Sequence, residues 1–131
     1  MTAIIETSAL CKRYGRARGI EDLTLTVRRG EVFGFLGPNG AGKTTTIRTL
    51  LDLLHPSSGS AKLFGLDSHR DSRAIRARLG NLPGEFVYDD RLTGRELLRF
   101  FASVRGMTGL GRAQGLAERF EADLDRPLRA L

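Results

Sequence analysis

The chain has 131 residues, the size of a single core, and its one cysteine rules out an internal disulfide and fits a reducing compartment. With 40% hydrophobic and 27% charged residues it reads as an ordinary globular protein; no apolar run approaches the ~18 residues of a membrane span, and MTAIIETSAL lacks a signal-peptide layout, so a soluble cytoplasmic protein is expected. The net charge of +6 raises nucleic acid or an anionic membrane as partners, but the basic cluster Arg70, Arg73, Arg76 and Arg78 has no interleaved aromatics and reads as a solvated helix face, so no nucleic-acid partner is expected.

In chain order, Ile4 to Leu10 reads as a first strand, with Cys11 beside it as a packing residue. Leu23-Thr24-Leu25-Thr26-Val27 alternates apolar and polar residues, as a half-exposed strand does, and Arg28-Arg29-Gly30 closes it. Val32 to Leu36 is a short apolar run ending at Gly37, the pattern of a strand buried on both faces. From Lys43, the spacing of Ile47, Leu50, Leu51 and Leu54 is helical until HPSSG (55–59). Ala61 to Phe64 predicts a strand, Ser72 to Leu79 a short basic helix, and Leu79 to Leu82 another strand. Thr93 and Glu96 form a capping box that opens a helix carrying Leu97, Leu98, Phe101 and Val104, and a further amphipathic helix spans Arg112 to Phe120. The order implies an α/β protein with N-terminal antiparallel strands and a helical part that begins late.

FLGPNGAGKTTT (35–46) carries the chemistry. Gly37-x-x-x-x-Gly42-Lys43-Thr44 matches the phosphate-loop pattern in full, between a strand-like run and a helix. The glycines allow backbone N–H groups to curl around oxygens, and the helix start adds its positive end. The candidate phosphate-binding residues are Gly37, Pro38, Asn39, Gly40, Ala41, Gly42, Lys43, Thr44 and Thr45. Lys43 is expected on the β- and γ-phosphates, the Thr44 hydroxyl on Mg²⁺, and Thr45 on the α-phosphate.

The loop begins 36 residues in, later than in small-molecule kinases, and no Asn-Lys-x-Asp guanine reader occurs. Lys12-Arg13-Tyr14-Gly15 followed by IEDLTLTVRRGEVFGFLGPNGAGKTTT resembles the start of ATP-binding cassette (ABC) transporter ATPases, and the likeness continues through HPSSGSAKLFGLD (55–67) and Ile75 to Pro83. Within that family, LPGEFVYDDRLTGRELLRFFASVRG (82–106) is most like the ATPases of multidrug and antibiotic exporters. The resemblance implies a P-loop NTPase core, ATP and Mg²⁺ as cofactors, and adenine stacking on Tyr14, which taken alone reads as a half-buried strand-end tyrosine. It also implies a membrane-spanning permease subunit and a second ATP-binding subunit as partners, and a place at the inner face of the cell membrane. The β subdomain and P-loop core would occupy about 1–83, and the glutamine-loop region and the start of the helical subdomain about 84–131.

The chain departs from that pattern in places. Gly84-Glu85 stands where the family usually has glutamine; Glu85 reads equally as an oxygen ligand near Mg²⁺ or as a solvated loop residue. Phe86 to Asp90 mimics the family's acidic strand but is too short and leads straight into the Thr93 cap. Neither His55 nor His69 follows an apolar strand, so both read as surface residues and not as the family's switch histidine. The Leu-Ser-x-Gly signature, acidic strand and switch histidine are not found, so an N-terminal fragment holding no catalytic residue is expected. The rival readings are another soluble P-loop NTPase or kinase, and a non-catalytic nucleotide-binding module.

Overall fold

A computed structural model describes residues 2–130, which fall into two compact units, 2–80 and 81–130. The first unit is built on a long antiparallel hairpin, β1 (Ala3–Tyr14) and β2 (Ala17–Arg28), joined through Gly15-Arg16. Gly15 supplies the positive φ of 57° that this two-residue turn demands. β3 (Ser58–Leu63) pairs antiparallel with the other edge of β1, and the short β4 (Leu66–Asp67) pairs with β3, giving the order β2-β1-β3-β4.

β1 is bulged where it passes Ala9, whose φ is 45°. The Ala9 amide donates to the Thr24 hydroxyl at 2.9 Å, so the bulge leaves no orphan donor there. Opposite it, a Cβ on Gly59 would lie 2.1 Å from the Ala9 carbonyl oxygen, which only glycine permits. Cys11 is half-buried and its sulfur accepts from the Asp22 amide at 3.2 Å.

Leu10, Ile20 and Ala61 form the buried core of the sheet, with Leu23 and Leu50 packed against it. Leu50 is the last residue of α1 (Lys43–Leu50), so this contact fixes the helix to the sheet. The buried hydroxyls of Thr46 and Thr49 donate back to the carbonyls of Gly42 and Thr45, each at 2.8 Å. α2 (Ser72–Arg76) buries Ile75.

Two predicted strands are absent. Val32 to Leu36 is not a strand buried on both faces: it has no regular structure, and Val32 is 100% and Leu36 92% exposed. Leu79 to Leu82 is likewise irregular, and the basic helix ends at Arg76 instead of Leu79. A strand is completed by its neighbours, and among the described residues neither segment joins the four-stranded sheet. Phe33 and Phe35 lie against each other, with ring centroids 6.4 Å apart.

In the second unit, α3 (Gly94–Val104) starts at Thr93 with both arms of the capping box formed. The Glu96 amide donates to the Thr93 hydroxyl at 3.2 Å, and the Thr93 amide donates to the Glu96 carboxylate at 2.8 Å. The Arg95 fork grips Asp125 at 2.7 and 3.1 Å and also donates to Gln114, the residue on α4 (Arg112–Arg119) that ties it to α3. A backbone bridge joins Thr93 to Pro127 beside these contacts. Asp89 and Asp90 lie in the turn before α3, and the Arg91 guanidinium holds the Asp89 carboxyl at about 2, below its ordinary 3.8.

Thr93→Ala removes the acceptor for the Glu96 amide and is expected to cost about 1 kcal/mol, read by denaturant unfolding. Thr93→Ser is expected to retain most of that stability, because the hydroxyl stays.

Candidate functional site

Residues 37–42 turn the extended segment into α1. The turn is closed by the Ala41 amide, which donates to the Pro38 carbonyl at 3.1 Å. Gly40 has φ 83° and Gly42 has φ 94°, dihedrals that cost a side chain strain. They differ in surroundings. A Cβ on Gly40 would meet open space, whereas one on Gly42 would lie 2.4 Å from the Gly19 carbonyl oxygen on β2.

Gly42 caps α1 without a side-chain hydrogen bond, and the first turn carries no acid. The amides of Lys43, Thr44 and Thr45, at the head of the helix, have no intrahelical acceptor. The same residues, with Asn39, Gly40 and Gly42, line a cavity of about 160 Å³. That lining offers backbone donors, hydroxyls, an amide and an ammonium, and no carboxylate. Such a surface is suited to an anion.

The Lys43 ammonium folds back over the turn, donating to the carbonyls of Gly37 and Pro38, the latter at 2.9 Å. Gly37 and Pro38 thus serve as acceptors for Lys43. The three threonines of the run divide by orientation: Thr44 and Thr45 line the cavity, while Thr46 is buried and bonded to the Gly42 carbonyl. The neutral, hard oxygen of Thr44 fits Mg²⁺, a cation that takes few protein ligands and completes its shell with water and phosphate oxygens. The volume suits a chain of phosphates and lies well under the roughly 300–1,000 Å³ of a pocket enclosing a whole ligand.

Tyr14 ends β1 at 43% exposure, with the Lys12 ammonium 5.5 Å above its ring. Gly19, which the sequence reading passed over, links this ring to the loop. A Cβ there would fall 2.3 Å from the Lys12 carbonyl oxygen and 3.2 Å from Tyr14 Cε2, and it is the Gly19 carbonyl that Gly42 approaches. A glycine inside a strand pattern was the available signal. Gly84 and Glu85 form an exposed bend in the second unit.

The sequence profile described as ABC transporter matches residues 20–129. The chain belongs to the ABC transporter family. The bacitracin transport ATP-binding protein BcrA of Bacillus licheniformis is 41% identical over 110 residues, covering 82% of this ABC chain and 35% of that protein. The daunorubicin resistance ATP-binding protein DrrA3 of Streptomyces coeruleorubidus is 42% identical over 119 residues, covering 88% and 38%. A solved ATP-binding subunit of an ABC transporter superposes with a TM-score of 0.77 at 29% identity, covering 91% of this chain and 51% of that subunit. The chain therefore spans under two fifths of these curated relatives and about half of the solved subunit. Its α/β fold is that of ABC ATP-binding subunits, and the likeness to exporter ATPases extends to named relatives. No helix among the described residues is long and apolar enough to cross a membrane.

Gly40→Ala is expected to cost about the 1–2 kcal/mol of a left-handed dihedral, whereas Gly42→Ala adds the collision with Gly19 and costs more. Thermal unfolding of the two variants side by side reads the difference.

Proposed function

We propose that this chain binds Mg-ATP as the ATP-binding part of an exporter-type ABC system. The observation that carries this reading is the carboxylate-free cavity at the head of α1, with Lys43 at its rim. In the bound state the Lys43 ammonium leaves the carbonyls of Gly37 and Pro38 for the β- and γ-phosphates. The free amides of the first turn and the loop from Asn39 to Gly42 hold the remaining phosphate oxygens, with Thr45 near the α-phosphate. Thr44 holds Mg²⁺, which neutralises phosphate charge when bound. Adenine stacks on Tyr14, whose ring Gly19 keeps close to the loop.

In this reading the phosphate-loop core extends over about 1–83, and Gly84-Glu85 opens the glutamine-loop region and the start of the helical subdomain. Gly84-Glu85 is then the contact toward a membrane-spanning permease, and a second ATP-binding subunit completes the nucleotide sandwich at the cytoplasmic face of the membrane. The names of the relatives, which refer to bacitracin transport and daunorubicin resistance, support the exporter class.

A charge-assisted hydrogen bond contributes about 1.5–3 kcal/mol, so Lys43→Ala is expected to weaken Mg-ATP binding ten-fold or more in calorimetry. An unchanged affinity would overturn the assignment. ATP and GTP are expected to bind within a few-fold of each other, because stacking reads a ring face and no guanine-reading pattern is present.

The same cavity favours binding over turnover for the 131-residue chain itself. Hydrolysis requires a group that positions water as well as charge stabilisation across the γ-phosphate, and the cavity lining contains no carboxylate. Phosphate release from Mg-ATP is expected to equal that of the Lys43→Ala control. Release that depends on Lys43 would show that the chain carries its own catalytic group.

A further inference from the structure

The two histidines of the chain lie 14 residues apart in sequence and converge on one carboxylate. His69 Nδ1 is 2.7 Å from Asp52 Oδ1, and His55 Nδ1 is 3.5 Å from the same oxygen. The imidazole rings meet edge to face with centroids 4.3 Å apart. The three candidate ligand atoms all lie within 4.8 Å of one another. We propose that Asp52, His55 and His69 form a binding site for a late first-row divalent cation, zinc being the best fit, distinct from the phosphate loop.

Local structure brings the three together. Asp52 follows α1 and takes a left-handed φ of 57°, which aims its side chain away from the helix path. His55 enters the turn before Pro56, a turn pinned where the Ser57 amide donates to the Cys11 carbonyl at 2.8 Å. His69 sits in the connection from β4 to α2, held because Asp67 accepts from the amides of His69 and Arg70 at 3.0 and 2.9 Å. Three separately anchored backbones thus present side chains to one point.

The donor set is that of zinc or another imidazole-favouring metal, two imidazole nitrogens and a carboxylate oxygen with a fourth position open to water. A tetrahedral ion with bonds of about 2.0–2.1 Å draws its ligands to roughly 3.3 Å from one another. The imidazoles are about two-thirds exposed, so rotation at their own side-chain bonds can supply that closure. Arg76 donates to Asp52 Oδ2 at 3.4 Å and to the Leu51 carbonyl at 3.1 Å, which leaves Oδ1 as the oxygen turned toward the rings. At 2.7 Å from a carboxylate oxygen His69 Nδ1 acts as a donor to Asp52 Oδ1. A divalent cation would displace that proton and take the nitrogen lone pair, and the negative end of α1 favours a cation there. The bound ion would tie the end of α1 to the β4–α2 connection.

The test is zinc titration of the full chain by calorimetry in a non-chelating buffer, with His55→Gln, His69→Gln and Cys11→Ser variants. One zinc per chain is expected, with each histidine variant weakening it at least ten-fold and Cys11→Ser leaving it unchanged. Cobalt is expected to give the strong visible d–d bands of a tetrahedral site without thiolate charge transfer. Should a histidine variant fail to fold, imidazole proton and nitrogen resonances of the wild-type chain provide the readout, and both histidines are expected to shift together at one equivalent of zinc. Binding weaker than about 100 μM, retention of affinity in both histidine variants, thiolate bands, or unmoved imidazole resonances would each overturn the proposal.

Discussion

The phosphate loop depends on two backbone approaches that no side chain could survive. The Cβ missing from Gly19 would lie 2.3 Å from the Lys12 carbonyl oxygen, and the one missing from Gly42 would lie 2.4 Å from the Gly19 carbonyl oxygen. β1, β2 and the loop are therefore packed backbone to backbone at the start of α1. The other end of α1 is held by Leu50 against Leu10, Ile20 and Ala61. A helix fixed at both ends has little freedom to redirect its free amides, so the cavity's electrostatics are set by packing outside it. This pre-organisation lowers the entropy lost when an anion is gripped.

Lys43 is the mobile part of that arrangement. Its ammonium has three donors, and in this structure two backbone carbonyls accept from it. A phosphate must displace those carbonyls, so the net gain is the difference between a phosphate contact and a carbonyl contact. The same bonds keep the charged group satisfied, where an unpaired ammonium beside the positive end of α1 would be repelled.

What was legible in the sequence was what is decided locally. The glycine pattern of 37–42, the helix from Lys43 and the reciprocal cap of Thr93 and Glu96 involve residues within one or two turns of each other. The hairpin strands were legible only in part, Ile4 to Leu10 and Leu23 to Val27, because alternation lapses beyond Leu10 and around Gly19, where packing rather than periodicity sets the backbone. Val32 to Leu36 misled for a different reason. Apolar, β-branched and aromatic residues report a preference for a pleated, buried surface, yet the ladder must come from another segment. Gly19 and the Asp52 cluster were invisible because their meaning lies in contacts 23 and 17 residues away, to Gly42 and between His69 and Asp52.

Both ends of α1 are matched to its dipole. At the N-terminus an acid-free first turn, unpaired amides and Lys43 make a positive site suited to an anion. At the C-terminus the Arg76 guanidinium reaches the carbonyls of Leu51 and Asp52, and two imidazoles gather at the Asp52 carboxylate. The helix is 8 residues long, about 12 Å at the usual rise per residue, so the two sites are within the reach of one rigid element. Charge neutralised at either end strengthens the same set of aligned peptide groups. A cation at Asp52 and an anion at Lys43 therefore favour the same helix.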